Sequence, residues 1–515
     1  MADSSAPLLT HLEENEEEDT SQPLNFDKIF EQSLTGFGLS QFLQVILVGL
    51  ASTFDAQQVF ITVFTDAYPT WHCVDHTVCT PASTDVCRLP RSAWDWDYKG
   101  KSVISEFDLE CSSSFLRGLP TSAFYIGSIV GGVFMAMIPD GFLGRKQLLF
   151  FTTLAMSLTG ISIFFSTSIW SYAFLKLAIG VARSQTGTYA FNLIGERVST
   201  KCRPRATMIP FTLFVLGFMS LSGISFLVRH ASWRVIYLCT SVPAAINSVF
   251  IYFFALESPR WLHVQGNNEE AIEVLKRLSP GKRGYLETVS SRLPSKETLE
   301  QSPSSSIMDL FIRRWAFRRI IAVMIIMFGL GMMYYGVPLA VRDIKVNIYL
   351  SETLTAMVEL PTFVIAPILL EKFNRRSSVL FNCLVGGALA LFCFVLTLFG
   401  RTNIAFVLEL CSFFCARIGF NLMAVYMIEM FPTCVRNFAT TMLRQALVLG
   451  GACCPIIASV GRNVPSISFA VFGFVVSGLG FFALLLPETK GSSLCDTMEE
   501  QEQSDQALKT SHVSC

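Results

Sequence analysis

Charge is what this sequence has least of: only 15% of its 515 residues are Asp, Glu, Lys or Arg, against roughly 25% in soluble domains. The net charge is −1 and no basic run of the phosphate-binding kind occurs, which excludes nucleic acid as a partner. There is no Gly-x4-Gly-Lys-Ser/Thr, so a nucleotide-driven pump would lack its phosphate cradle. With six His, no Gly-x-Ser-x-Gly and no spaced metal ligands, neither an enzyme nor a metal or organic cofactor is expected. The Asn-x-Ser/Thr sequon is absent, which removes N-glycosylation. The chain opens on an acidic stretch, residues 12–19, rather than on a basic start with an early apolar run, so no cleaved signal peptide is expected.

What is abundant is apolar: 51% of residues, with a mean hydropathy of +0.48. Windows of about 20 apolar residues, each enough to cross a bilayer, fall at 41–65, 118–138, 147–166, 170–195, 207–228, 233–256, 320–341, 349–370, 378–399, 404–428, 438–459 and 467–486. The expectation is an all-α polytopic membrane protein of twelve spans. Its parts are an acidic tail (1–30), a first six-helix half (31–256), a middle loop (257–319), a second half (320–490) and a tail (491–515). With cytoplasmic termini, short inner loops carry ten Lys and Arg against five outside, the bias that sets orientation. The middle loop adds eleven more on the inner side.

On the opposite face, the loop 69–117 carries Cys73, Cys79, Cys87 and Cys111, an even set that predicts two disulfides with three pairings open. The inner loops repeat. Glu196 to Arg203 matches Glu429 to Arg436 at an offset of 233, Asp140 to Lys146 loosely matches Glu371 to Arg376 at 231, and Glu257 matches Glu488 at 231. Three echoes in step indicate an internal duplication, the arrangement that builds a transporter around a site between its halves.

Within these echoes, Ala136-x3-Asp140-x3-Gly144-Arg145-Lys146 resembles the loop signature of the major facilitator superfamily. Glu257-Ser-Pro-Arg-Trp-Leu262 and Pro487-Glu-Thr-Lys-Gly491 resemble the half-ends of its sugar-porter type. Tyr426-x2-Glu429-Met-Phe-Pro-Thr433-x2-Arg436-Asn437, the cysteine loop ending Ser105 to Cys111, and Glu359-Leu-Pro361 are similar to the organic cation, carnitine and anion transporters within it. The plant-type organic cation/carnitine transporters match best, over residues 30–491. The resemblance implies the major facilitator fold, secondary transport of carnitine and organic cations by alternating access, and symport with protons as one mode. Val448 stands where animal cation carriers of the family have an acidic residue, whereas Arg444, four residues earlier, suits a carboxylate.

Charges at helix ends in both halves, Asp140, Gly144-Arg145-Lys146, Glu196, Arg203, Glu371, Arg375, Glu429 and Arg436, form a candidate cytoplasmic gate held by ion pairs and helix-end contacts. Charges within spans cost roughly 3 kcal/mol or more and require partners or water. Asp55, Arg183, Glu359, Arg417 and Arg444 lie deep enough to line a cavity, while Glu352 and Glu409 sit nearer the outer edge and are expected to snorkel to water. A ligand with a quaternary ammonium and a carboxylate would meet Asp55 or Glu359 at one end and Arg444 or Arg417 at the other, with Tyr334 and Tyr335 offering rings.

Either Asp55 or Glu359 could exchange a proton and so use a proton gradient; nothing singles out a sodium site, and sodium coupling and facilitated diffusion stay open. Arg183-x3-Gly187 resembles the superfamily's span-four motif. The partners expected are therefore the lipid bilayer and a small molecule, with an organic-anion or sugar carrier as the alternative and a membrane sensor or receptor as the reading from another class. Leu8-Leu9 with Asp3 upstream approximates an acidic di-leucine signal, which leans the location toward the vacuolar rather than the plasma membrane.

Overall fold

A computed structural model describes residues 26–34, 36–75, 79, 86–136, 143–290, 307–340, 346–461, 467–490, 495 and 497–503. Fifteen helices carry the argument: α1 Phe26–Ser33, α2 Leu39–Phe60, α3 Ser114–Ala136, α4 Arg145–Ser162, α5 Ile169–Arg183, α6 Thr186–Gly195, α7 Arg203–Leu227, α8 Trp233–Phe254, α9 Asn268–Leu278, α10 Arg314–Ala340, α11 Ile348–Lys372, α12 Arg375–Leu398, α13 Thr402–Met430, α14 Thr433–Gly461 and α15 Ile467–Gly480. Eleven helices among the described residues are long and apolar enough to cross a membrane. The remaining path, through the window at 170–195, is made by α5 and α6 end to end. It breaks at Ser184 and Gln185, directly after Arg183. Unwound backbone at membrane depth is tolerated where it is buried in protein or borders a cavity.

Several helices begin earlier than their apolar windows, α7 at Arg203 and α10 at Arg314, because basic residues extend the helix into the polar region. The helix ends carrying these residues form the basic end of the molecule, and the cysteine loop forms the disulfide end. The two halves meet where α3 packs along α14 and α7 along α11. The contact is close at the disulfide end. A Cβ added to Gly118 would lie 3.0 Å from the backbone of Ile456, so only glycine lets α3 approach α14 this closely. Ser122 Oγ donates to Ala452 O at 2.9 Å, and aromatic pairs Phe60–Tyr334, Phe64–Tyr349 and Phe226–Tyr349 join the halves at 6.1, 5.8 and 5.5 Å.

The disulfide loop holds the only strands among the described residues, β1 Trp71–Cys73 and β2 Trp94–Trp96, paired antiparallel with Trp71 opposite Trp96. Of the three pairings left open by the sequence, the structure has Cys73–Cys79 and Cys87–Cys111. At the basic end, α1 packs on the segment after α8. Phe26 stacks on His263 at 4.0 Å, and Phe30, Leu275 and Leu278 share one buried cluster. The boundary at residue 30 thus falls inside α1, whose Glu31 lies 3.6 Å from Arg260.

Candidate functional site

Near the middle of the molecule the deep charges resolve into two ion pairs, one per half. In the first half Arg183 of α5 grips Asp55 of α2 with both arms, Nε to Oδ1 at 2.5 Å and Nη2 to Oδ2 at 2.8 Å. In the second half Arg417 Nη2 of α13 lies 2.6 Å from Glu359 Oε1 of α11, and the Tyr334 hydroxyl donates to Glu359 Oε2 at 3.4 Å. All four charged side chains are buried. Both carboxylates are therefore already engaged rather than presented bare to a ligand cation.

Arg444 of α14 completes the set. Its Nη1 donates to Thr188 Oγ1 of α6 across the interface between halves. Among the described residues no carboxylate lies within ion-pair distance of it. A Cβ added to Gly187 would lie 3.7 Å from Arg444 Nη2 and 4.0 Å from Asp55 Oδ2, so the glycine leaves open the gap between the two groups. Two carboxylates against three guanidiniums leave this cluster with one cation in excess, as a site for a carboxylate-bearing solute requires.

The two candidate rings differ. Tyr334 is stacked on Phe413 at 5.5 Å, and the Arg417 guanidinium lies 5.1 Å from its centroid, so its faces are engaged. Tyr335 lies against Tyr125 of α3 at 4.9 Å, at the junction of the halves, and Arg183, Arg444, Asp55 and Arg417 all act on it electrostatically.

Glu352 and Glu409 do not snorkel. Both are fully buried, on α11 and α13, and act on each other electrostatically. Neighbouring helices enclose these positions, so closeness to the end of an apolar window did not mean access to water.

At the basic end the sequence echoes become two copies of one network. Glu257 accepts from Lys146 N at 3.0 Å and Glu488 from Arg375 N at 2.9 Å, each carboxylate capping the helix that opens its half's basic loop. A Cβ on Gly144 would overlap the Glu257 carboxylate, which explains the glycine. Arg145 lies 4.0 Å from Glu196, and Arg375 forks onto Glu429 at 3.0 and 3.1 Å. Each pair lies within its own half. Burial lifts the Glu257 carboxyl above its ordinary range despite its hydrogen bonds, and pushes Arg197, fully buried beside it, down to about 10.

The other gate candidates are more dispersed. Arg203 donates to Gly195 O at 3.0 Å, Arg436 to Phe431 O at 3.3 Å, the Lys146 ammonium lies 6.0 Å from the Tyr252 ring, and Glu371 is exposed. Asp140 lies outside the described residues. A cavity of about 430 Å³ opens at this end, lined by Asn192, Glu196, Arg203, Thr207 and Arg260 among others.

The sequence profile described as "Sugar (and other) transporter" matches residues 48–500. The chain is 78% identical to the Organic cation/carnitine transporter 5 of Arabidopsis thaliana, with 100% of each covered, and 67% identical to the Organic cation/carnitine transporter 6, again over the full lengths. The chain belongs to the sugar (and other) transporter family, among its plant organic cation/carnitine transporters. It is a multi-pass membrane transporter, not an enzyme. The xylose transporter of E. coli in an inward open conformation aligns with a TM-score of 0.60 at 16% identity, covering 90% of this chain and 98% of that one, which establishes the major facilitator fold.

Sequence reading of this transporter missed Glu257 and Glu488 as helix caps, although their echo was visible. It also passed over two buried charged residues, Asp66 and Lys176. Lys176 meets the criterion that picked out Arg183, a full charge within the same apolar window. Asp66 lies just past the end of the first window, where depth cannot be read from sequence.

Proposed function

We propose that this chain is a secondary carrier of carnitine-like zwitterions and organic cations, working by alternating access. The observation that carries the reading is the excess cation, Arg444, held at the interface beside Asp55 and acting electrostatically on Tyr335, which lies against Tyr125. A substrate carboxylate would replace Thr188 as the partner of Arg444. Its trimethylammonium would lie against the rings, with the Asp55 charge behind them. The names of the two plant relatives support the same substrates.

Coupling is assigned to protons. Protonation of Asp55 would release Arg183, and protonation of Glu359 would release Arg417, so each pair can exchange its internal partner for a substrate or a proton. The helix-end networks, each within its own half, then brace each half as a rigid body while one half rocks on the other. We place the basic end in the cytoplasm by its excess of Lys and Arg, and the protein in the vacuolar membrane.

The test is uptake of radiolabelled carnitine and tetraethylammonium by the yeast-expressed protein in sealed vesicles, with and without an imposed proton gradient. Saturable uptake of carnitine whose KM rises in Arg444→Ala supports the reading. Uptake of neither compound by correctly inserted protein would overturn the substrate assignment in favour of an organic anion or a sugar. A fluorescent fusion that labels only the plasma membrane would overturn the location.

A further inference from the structure

The proton reading leaves one buried cluster of the first half unused. Lys176 lies seven residues before Arg183, on the same face of α5, and is fully buried. Among the described residues its ammonium has no hydrogen-bond partner. It rests 4.6 Å from the Phe124 centroid and 5.6 Å from that of Tyr237. Arg183 faces the same Phe124 ring at 5.5 Å. A buried ammonium without an acceptor is costly unless a counter-charge is close, and the carboxylate that acts on Lys176 electrostatically is Asp66.

Asp66 follows α2 at the disulfide end. Its Oδ1 accepts from the Tyr172 hydroxyl at 3.0 Å and from Thr65 Oγ1 at 2.9 Å, and its Oδ2 accepts from Thr121 Oγ1 at 3.3 Å. The Tyr172 and Tyr237 hydroxyls are 2.9 Å apart, which continues the chain from Asp66 toward the ring beside Lys176. Asp66 also lines a cavity of about 40 Å³ between the halves, with Thr62, Arg117 and Thr121 on one side and Pro455 and Ser459 on the other. That volume exceeds the roughly 10–15 Å³ needed to hold a water. Parting of the halves at this end, which alternating access requires, would join the cavity to bulk water, whereas Lys176 lies deeper in α5.

We propose that Asp66, its hydrogen-bonded partners Tyr172 and Tyr237, and Lys176 beside the Tyr237 ring form a second proton-binding site that loads from the disulfide side. This rests on the proton-coupled reading above. A hydronium ion gives its proton to a carboxylate oxygen of Asp66 and leaves as water; no other bond is made or broken, and release is the reverse step. Among the described residues, the charged and titratable groups around the site include Arg117 on α3, with Tyr68 acting on it, Tyr172, Lys176 and Arg183 on α5, and Tyr237 on α8. Beyond them Arg234 is held by Glu106 at 2.5 Å. The site is distinct from the Asp55–Arg183 pair but shares Phe124 with it, so its charge state can bias that pair.

The experiment uses the purified full chain in sealed vesicles. Labelled-carnitine uptake is followed while pH on the disulfide side is varied at constant inner pH, alongside carnitine counterflow at equal pH, for wild type, Asp66→Asn, Tyr172→Phe and Lys176→Met. The expected result is acid stimulation in wild type, its loss in Asp66→Asn with counterflow retained, and a displaced pH midpoint in Tyr172→Phe. Unchanged stimulation and midpoint in both Asp66→Asn and Tyr172→Phe, with wild type stimulated, would overturn the second site and leave coupling through Asp55 standing. Wild type indifferent to pH would instead overturn the coupled reading, and the second site with it. Thermal unfolding of each variant separates lost folding from lost coupling, and Tyr172→Phe carries the test if Lys176→Met does not fold.

Discussion

Arg417 of α13 sits 2.6 Å from the Glu359 carboxylate of α11, with both side chains shut away from water. Removing one member of such a pair leaves the other buried and uncompensated, which costs about 3–5 kcal/mol. Glu359→Gln should therefore lower the unfolding temperature in detergent as well as transport. The double variant Glu359→Gln, Arg417→Met should recover most of the stability but none of the transport. A double variant no more stable than Glu359→Gln would show that the pair is not an electrostatic unit.

Glu352 and Glu409 pose the opposite case, two buried carboxyls from neighbouring helices acting on each other. Replacing one with its uncharged isostere removes the repulsion and keeps the volume. Glu409→Gln is expected to raise stability by about 1 kcal/mol, since burying an amide costs less than burying a carboxylate beside another. Thermal unfolding at neutral pH checks this, and a destabilised variant would mean that the two carboxyls support rather than oppose each other.

Spans were legible because a bilayer demands long apolar windows, and the duplication was legible because both halves carry the same loop residues. Partners were harder to read. Asp55 and Arg183 are 128 positions apart, and only folding shows that they take each other instead of a ligand. The broken helix α5–α6 left no trace in hydropathy, because its two parts are each apolar. The burial of Glu352 and Glu409 depends on helix neighbours, which hydropathy does not report. Cysteine spacing alone left three pairings open, and only the folded loop shows Cys73–Cys79 and Cys87–Cys111.

Glu257 gives a dependence on pH with a defined sign. Its carboxyl is raised by burial, against the hydrogen bonds of Lys146 N and Ser258 N. The folded protein thus holds its proton at a pH where the unfolded chain has lost it. The contribution is full below the unfolded value and declines as pH rises through the folded one. Relative to Glu257→Gln, wild type should lose stability as pH rises through and above the ordinary carboxylate range. A margin that grows with pH would show that the helix cap outweighs burial.

The two disulfides should differ in worth. Cys87–Cys111 closes 24 residues and Cys73–Cys79 only six. Loop-closure entropy makes the longer bridge more stabilising by about 1 kcal/mol. Cys87→Ser with Cys111→Ser should therefore lower the unfolding temperature more than Cys73→Ser with Cys79→Ser. Equal losses would mean that contacts inside the loop, such as Trp94 on Trp96 at 4.9 Å, dominate over chain entropy.

Gly187 offers the sharpest separation of fold from transport. The space beside it is bounded by Arg444 Nη2 and Asp55 Oδ2, polar groups at the limit of ordinary contact with an added Cβ. Alanine should therefore be accommodated, and its helix propensity is higher by about 1 kcal/mol, so Gly187→Ala should fold at least as well as wild type. Gly187→Leu would push an apolar branch between the two charged groups, where the proposed substrate carboxylate enters. Carnitine uptake should fall only modestly in the first variant, chiefly through KM, and be lost in the second while both insert normally. Full uptake by Gly187→Leu would place the substrate elsewhere and remove Arg444 and Asp55 from its path.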